Sequence, residues 1–214
     1  MTLENAKVKL GKYGQEHVLK YYDELSDAEK EALLVDPVLP VGEISAYLPC
    51  GARITAALLT HGHFDHIEAL ASYKEAGIPI FVHREDEEML SSAEKNGSYR
   101  LLARPIAFSF GADGYLEDGK EIPLGSELLT VMHLPGHTKG SIALWGDGFV
   151  LSGDTVFAYG DYGRCDLYGG DEEKMQASLR RFFSQTGEYV IYAGHGGPAS
   201  YSREKILRKY TLDE

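Results

Sequence analysis

From Ile54 to Leu59 the chain reads Ile-Thr-Ala-Ala-Leu-Leu, a short, nearly unbroken apolar run. Runs of that kind are strands covered on both faces. Phe64 to Ala76 then places Ile67, Leu70, Ala71 and Tyr73 at helical spacing and stops at Gly77, a good helix terminator. Ile78 to His83 is the next strand, so a β–α–β unit is predicted here, with a parallel sheet covered by helix. A short helix over Glu85–Ser92 follows. Further on, strands are predicted over Leu128–Leu134, Ser141–Trp145 and Phe149–Ser152, separated by turns such as Gly146-Asp147-Gly148. Asp171–Phe183 is a helix with Met175, Leu179 and Phe182 as its apolar stripe, Glu188–Ala193 a last strand and Arg203–Tyr210 a last helix.

The first 34 residues follow another pattern. Lys7–Tyr13 is read as helix over a weakly alternating strand, and Gln15–Leu25 carries Val18, Tyr21, Tyr22 and Leu25 at helical spacing. Ser26-Asp27-Ala28-Glu29 is a capping box that should open a second helix over Asp27–Leu34. The chain therefore divides into a helical N-terminal segment, residues 1–34, and an α/β domain, residues 35–214.

Composition narrows the function classes. In 214 residues, 43% hydrophobic and 25% charged, there is enough apolar side chain for one packed core without disulfides. A formal charge of −12 repels nucleic acid, and the densest basic cluster, Arg203, Lys205, Arg208 and Lys209, reads as a solvated helix face. No apolar run approaches the ~20 residues of a membrane span, and the opening residues lack the layout of a secretory signal. With two cysteines only, Cys50 and Cys165, the expected location is the cytoplasm, and Cys165 reads as a small packing residue.

The chemistry concentrates in Thr60-His61-Gly62-His63-Phe64-Asp65-His66. Three imidazoles and a carboxylate within six residues exceed what packing requires, and the pattern arises by chance on the order of once in a thousand such chains. His61 and His63, two apart on an extended segment, point to one side, while Asp65 and His66 enter the first turn of the next helix. His137, Asp154 and His195 likewise follow the ends of apolar strands, where loops of an α/β sheet converge. The set completes as His61, His63 and His137 for one ion, Asp65, His66 and His195 for a second, and Asp154 bridging. Zinc suits these donors, with iron or manganese as alternatives. His17, His83 and His133 fall outside the set.

That heptad, with Gly136-His137-Thr138, Ser152-Gly153-Asp154-Thr155 and Gly194-His195-Gly196, resembles the metallo-β-lactamase superfamily of binuclear metallohydrolases from about residue 35 to 200. Gly163-Arg164-Cys165-Asp166-Leu167-Tyr168-Gly169-Gly170-Asp171 is similar to the loop of glyoxalase II-like thioesterases, which usually read Thr and Pro where Cys165 and Tyr168 stand. The resemblance implies an αββα sandwich, the same ligand assignments, Asp65 and Asp154 as catalytic carboxylates, and a metal-bridging hydroxide that attacks a small acyl thioester. Lys139, Tyr162 and Arg164 are the candidate substrate contacts, and Tyr159 and Tyr168 further candidates for the pocket wall. Mononuclear iron persulfide dioxygenases share the motifs, and a lactonase or other ester hydrolase is a third reading. Relatives open with a strand pair before an Asp-Pro-Gly turn; here Asp36-Pro37 meets Val38, no strand pair is expected before it, and the segment up to Leu34 resembles the N-terminal helices of UDP-sugar pyrophosphorylases. The helical C-terminal domain of long glyoxalase II enzymes has no counterpart, so weak discrimination among thiol leaving groups is expected.

Overall fold

The computed structural model describes residues 31–48, 52–125, 127–157 and 160–201. The helices expected before residue 31, the helix Arg203–Tyr210, Cys50 and Tyr159 lie outside them, as does most of the segment compared with the pyrophosphorylases.

The first described element corrects the sequence reading. Glu31–Val35 is a strand, β1, where the capping box had predicted helix as far as Leu34. It pairs parallel with β2, Arg53–Leu58, so a strand does precede Asp36. Its two inner residues explain the misreading: Leu34 and Val35 are both buried, on opposite faces of the sheet, so no alternation marks the strand.

A four-stranded sheet has the order β1, β2, β3 (Ile80–Val82) and β4 (Gly114–Tyr115), every pair parallel. Between β1 and β2 lies α1, Val41–Ile44. Between β2 and β3 the expected single helix is two, α2 (Phe64–Ile67) and α3 (Leu70–Glu75). The break falls at Ala69, whose φ of −92° and ψ of 0° interrupt the helical ladder. Gly77 ends α3 at φ +70°, as its position predicted. After β3 come a 3-10 turn, Arg84–Asp86, then α4 (Glu87–Leu90) and α5 (Ser98–Leu101).

The second sheet runs β10-β9-β8-β7-β6-β5, formed by β5 (Glu121–Leu124), β6 (Glu127–His133), β7 (Ile142–Gly146), β8 (Phe149–Gly153), β9 (Tyr189–Ala193) and β10 (Ala199–Tyr201). Between β8 and β9 lies α6, Glu172–Phe183, capped by Asp171, whose side chain accepts from Lys174 N. Glu172 and Glu173 in its first turn and Arg180 and Arg181 in its last suit the helix dipole.

Three apolar clusters define the layers. Ala57, Leu59, Ile67, Leu70, Tyr73 and Ile80 pack between the first sheet and its helices. Ala56, Leu58, Val131, Ile142, Leu144 and Leu151 fill the space between the sheets. Val150, Met175, Leu179, Phe182 and Ile191 join the second sheet to α6. Successive residues of β2 thus serve different layers, and the αββα sandwich implied by the resemblance is the observed architecture. Among the described residues no helix is long and apolar enough to cross a membrane.

This topology positions a site. Strands β6 and β8 are both antiparallel to β7, and β9 is parallel to β8. All three therefore end at one edge, where His137, Asp154 and His195 emerge. Ile142 N, at the start of β7, donates to Thr60 O just past β2, which fastens the His61 loop to that same edge.

Candidate metal centre

Five imidazoles and two carboxylates meet at this edge. The ring centroid of His61 lies 4.9 Å from that of His63, 4.7 Å from His137 and 4.0 Å from His66. His63 Nδ1 and His137 Nε2 are 2.8 Å apart. Asp154 Oδ1 lies 3.5 Å from His66 Nε2, while its Oδ2 lies 3.5 Å from His137 Nε2 and 3.4 Å from His195 Nε2. Asp65 Oδ2 is 3.2 Å from His195 Nε2. The donors gather as His61, His63 and His137, and as Asp65, His66 and His195, each group compact enough to share one ion, with Asp154 reaching both. All seven residues singled out in the sequence are brought together.

The surrounding hydrogen bonds set which nitrogen faces inward. Thr60 Oγ1 donates its one hydrogen to Asp36 Oδ2 at 2.6 Å, so toward His61 Nδ1, 3.1 Å away, it can only accept. His61 Nδ1 therefore carries the proton and Nε2 the lone pair. His137 Nδ1 donates to Arg164 O at 2.7 Å and His66 Nδ1 to Asp36 Oδ2 at 2.9 Å, which turns both Nε2 atoms toward Asp154. His61 Nε2, His63 Nε2, His66 Nε2 and Asp154 Oδ1 are buried without a hydrogen-bond partner. Unsatisfied polar atoms so concentrated are costly unless a cation completes them, and imidazole with carboxylate is the donor chemistry of zinc, iron or manganese. The residues fit a dinuclear metal site.

Electrostatics divide the centre in two. Burial, reinforced by neighbouring imidazoles, holds His61 well below the usual histidine range and His63 at about 3, and burial also lowers His137. Burial acts against charge on His66 as well, but Asp36 and Asp154 outweigh it and raise the group to about 9. Hydrogen bonds that His195 donates to Asp154 and Asp65 raise it to about 10. Asp65 and Asp154 are held low despite burial, by His195 and His66 in the first case and chiefly by His66 in the second. Protons on His66 and His195 thus balance the carboxylates where a dication would otherwise stand.

Glycines keep this packing open. A Cβ on Gly194 would lie 2.3 Å from Asp154 Oδ1 and 2.6 Å from His66 Cε1. Gly153, at φ +50°, would place one 2.4 Å from Thr60 Oγ1.

Two buried aspartates at the centre had been given no part in it by the sequence. Asp36, at φ +49°, accepts from Thr60 N at 2.7 Å besides Thr60 Oγ1 and His66. Asp86 accepts from Gly62 N, Thr138 Oγ1 and Gly140 N, bonds that oppose the upward pull of burial on its carboxyl. The one available signal was an acidic residue just beyond each of two strands. His83 and His133, set aside earlier, stack at 3.9 Å in a separate group with Glu85.

The proposed substrate contacts are dispersed. Arg164 pairs with Asp166 through both carboxylate oxygens, Lys139 reaches Glu88 Oε1 and Tyr168 Oη, and Tyr162 donates to Glu172. A cavity of about 610 Å³ lies between the 94–101 and 164–168 loops, lined by Arg164, Lys95, Arg100, Tyr99 and Tyr168 among others. Its first wall is tied to the centre through Asn96 O, which accepts from Phe64 N beside His63. Its second is tied through the Arg164 carbonyl that holds His137.

Known proteins place the same elements together. The family model of the metallo-beta-lactamase superfamily matches residues 25–195. The probable metallo-hydrolase YqgX of Bacillus subtilis is 33% identical over 174 residues, 79% of this chain and 82% of that one. The hydroxyacylglutathione hydrolase GloC of Haemophilus influenzae is 30% identical over 193 residues, covering 84% and 86%. Among solved structures, the BLEG-1 B3 metallo-beta-lactamase superposes with a TM-score of 0.75 at 31% identity, covering 86% of this chain and 88% of that one. With the layered fold, the converging strand ends and the clustered donors, these matches show that the chain belongs to the metallo-beta-lactamase superfamily of metal-dependent hydrolases.

Proposed function

We propose that this protein hydrolyses small acyl thioesters with two divalent ions, zinc first among them. The observation that carries the reading is the pair of compact donor groups on either side of Asp154. Such ions, when bound, supply Lewis acidity and an activated water nucleophile. The chain's own contribution begins with His61, His63 and His137, kept neutral by burial and so ready to ligate at once. Asp154 spans the two groups and fixes their separation. Asp65, its carboxyl held ionised by His195 and His66, stands ready to ligate within the second group.

The thioester assignment draws on the 163–171 loop, which binds His137 through the Arg164 carbonyl and forms one wall of the cavity. That cavity is of the size that takes a small molecule. Tyr99 and Tyr168 supply aromatic surface for the thiol arm, and Arg100 supplies a cation beside the paired Arg164–Asp166 and Lys95–Glu88. The activity named for the similar GloC protein points the same way.

Purified protein, loaded with zinc, iron or manganese and analysed for metal content, should be assayed on a panel of acyl thioesters that includes S-lactoylglutathione. Turnover abolished by chelation and restored by metal is the expected result. No thioester turnover by a fully loaded protein, with oxygen uptake on glutathione persulfide, would transfer the assignment to a dioxygenase, and turnover of lactones alone would transfer it to a lactonase.

A further inference from the structure

The three imidazoles of the His61 group come from two separate loops, one leaving β2 and one joining β6 to β7. Their separation is not set by the chain between them, since His61 and His137 stand 76 positions apart. It is set where the loops touch, and at that contact lies Asp86, fully buried. Its Oδ2 accepts from Gly62 N at 3.0 Å and from Thr138 Oγ1 at 2.6 Å, and its Oδ1 accepts from Gly140 N at 2.7 Å. Gly62 sits between His61 and His63, and Thr138 follows His137 directly. None of the three residues belongs to the donor groups around the centre.

The network has one direction. Thr138 Oγ1 gives its hydrogen to Asp86, so the hydrogen shared with Ser141 Oγ, 2.7 Å away, comes from Ser141. Ser141 Oγ in turn accepts from Thr138 N at 3.0 Å. The space is cut to the carboxylate: a Cβ on Gly140 would lie 2.8 Å from Asp86 Cγ, and one on Gly62 would lie 2.7 Å from Met89 Cβ. Asp36 occupies the corresponding place on the other side, bonded directly to His66.

We infer that Asp86 is a positioning residue for the first ion: it holds the His61–His63 loop and the His137 loop at the spacing that sets the affinity of that ion alone. The inference rests on the two-ion reading above and is independent of the thioester chemistry. Its role is exerted through Gly62, Thr138 and Gly140, because Asp86 itself touches neither donor group.

The test is a titration of metal-depleted full-length protein with cobalt(II), followed by visible absorption and by competition with a chelator of known affinity. Wild type, Asp86→Ala, Asp86→Asn and Thr138→Val are compared, with His66→Ala as the reference for loss of the second ion. Asp86→Ala should weaken the first ion by about 10–100-fold, the range typical of groups that orient ligands, and leave the second little changed. Asp86→Asn should fall between, since a carboxamide oxygen can still accept from Gly62 and Thr138 while its NH2 opposes Gly140 N–H. Thr138→Val, which removes one bond, should weaken the same ion by a smaller factor. Near-ultraviolet circular dichroism establishes that each variant is folded. If Asp86→Ala does not fold, the other two variants decide. Unchanged affinity for the first ion, or equal weakening of both ions in folded protein, overturns the inference. A wild-type chain that takes up two ions but turns over no thioester sinks only the thioester assignment; one that takes up none overturns both.

Discussion

Asp36 Oδ2 accepts a hydrogen bond from His66 Nδ1 at 2.9 Å across 30 residues of sequence, and both side chains are buried. The bond orients the His66 ring with Nε2 toward Asp154, and the same carboxylate holds Thr60 N and Oγ1. Removing it by Asp36→Ala should weaken the second ion by about 10–100-fold. It should also cost about 1–3 kcal/mol for each buried donor left without a partner. Metal analysis and thermal melts of the variant check both; a variant with full metal content and an unshifted melt would remove Asp36 from the account.

Asp154 lies against His66, His137 and His195 at 3.4–3.5 Å. Asp154→Ala should therefore lower occupancy of both ions, whereas His66→Ala should empty mainly the second. Elemental analysis of the two variants separates the cases, and full occupancy in Asp154→Ala would contradict a bridging role.

Gly194→Ala should disable the centre more than it disturbs the fold. Its Cβ would lie 2.3 Å from Asp154 Oδ1 and 2.6 Å from His66 Cε1, both groups of the site. The expected outcome is a large loss of metal affinity with a melting temperature lowered by only a few degrees, as for about 1 kcal/mol. Equal metal uptake by variant and wild type would show that the site yields.

Stability of the metal-free protein should peak near pH 6.5, the ordinary histidine value. Below it, the unfolded chain takes up protons that folded His61, His63 and His137 refuse, and stability falls as pH drops toward the value of about 3 held by His63. Above it, folded His66 and His195 keep protons that the unfolded chain has lost, so stability falls as pH rises through about 9 and 10. Thermal melts of chelated protein from pH 4 to 10 test the shape, and a monotonic rise across the range would refute it.

Leu34→Ala tests the first strand. Leu34 is 1% exposed and packs on the helix side of the four-stranded sheet. A loss of about 2–5 kcal/mol is expected in denaturant titration. A loss below about 1 kcal/mol would mean that β1 adds little to this core.

The elements legible in the sequence were those whose signal is local. The hairpin of β7 and β8 was marked by Gly146-Asp147-Gly148, and α6 by Asp171 as its cap and its stripe of Met175, Leu179 and Phe182. The donor residues were legible because His61, His63, Asp65 and His66 crowd six positions, and because His137, Asp154 and His195 each follow an apolar strand. Pairing across the chain was not. Glu31-Ala32-Leu33-Leu34-Val35 carries residues that suit a helix, and only the edge of β2 and burial on both faces make it a strand. The sequence assigned neither Asp36, noted only for its turn, nor Asp86, placed in a predicted helix, a part in the site, because their partners stand 24 to 54 positions away. Local propensity reaches about as far as one turn or one strand. Which carboxylate braces which loop depends on which strand ends share an edge, and that is settled when the two sheets pack.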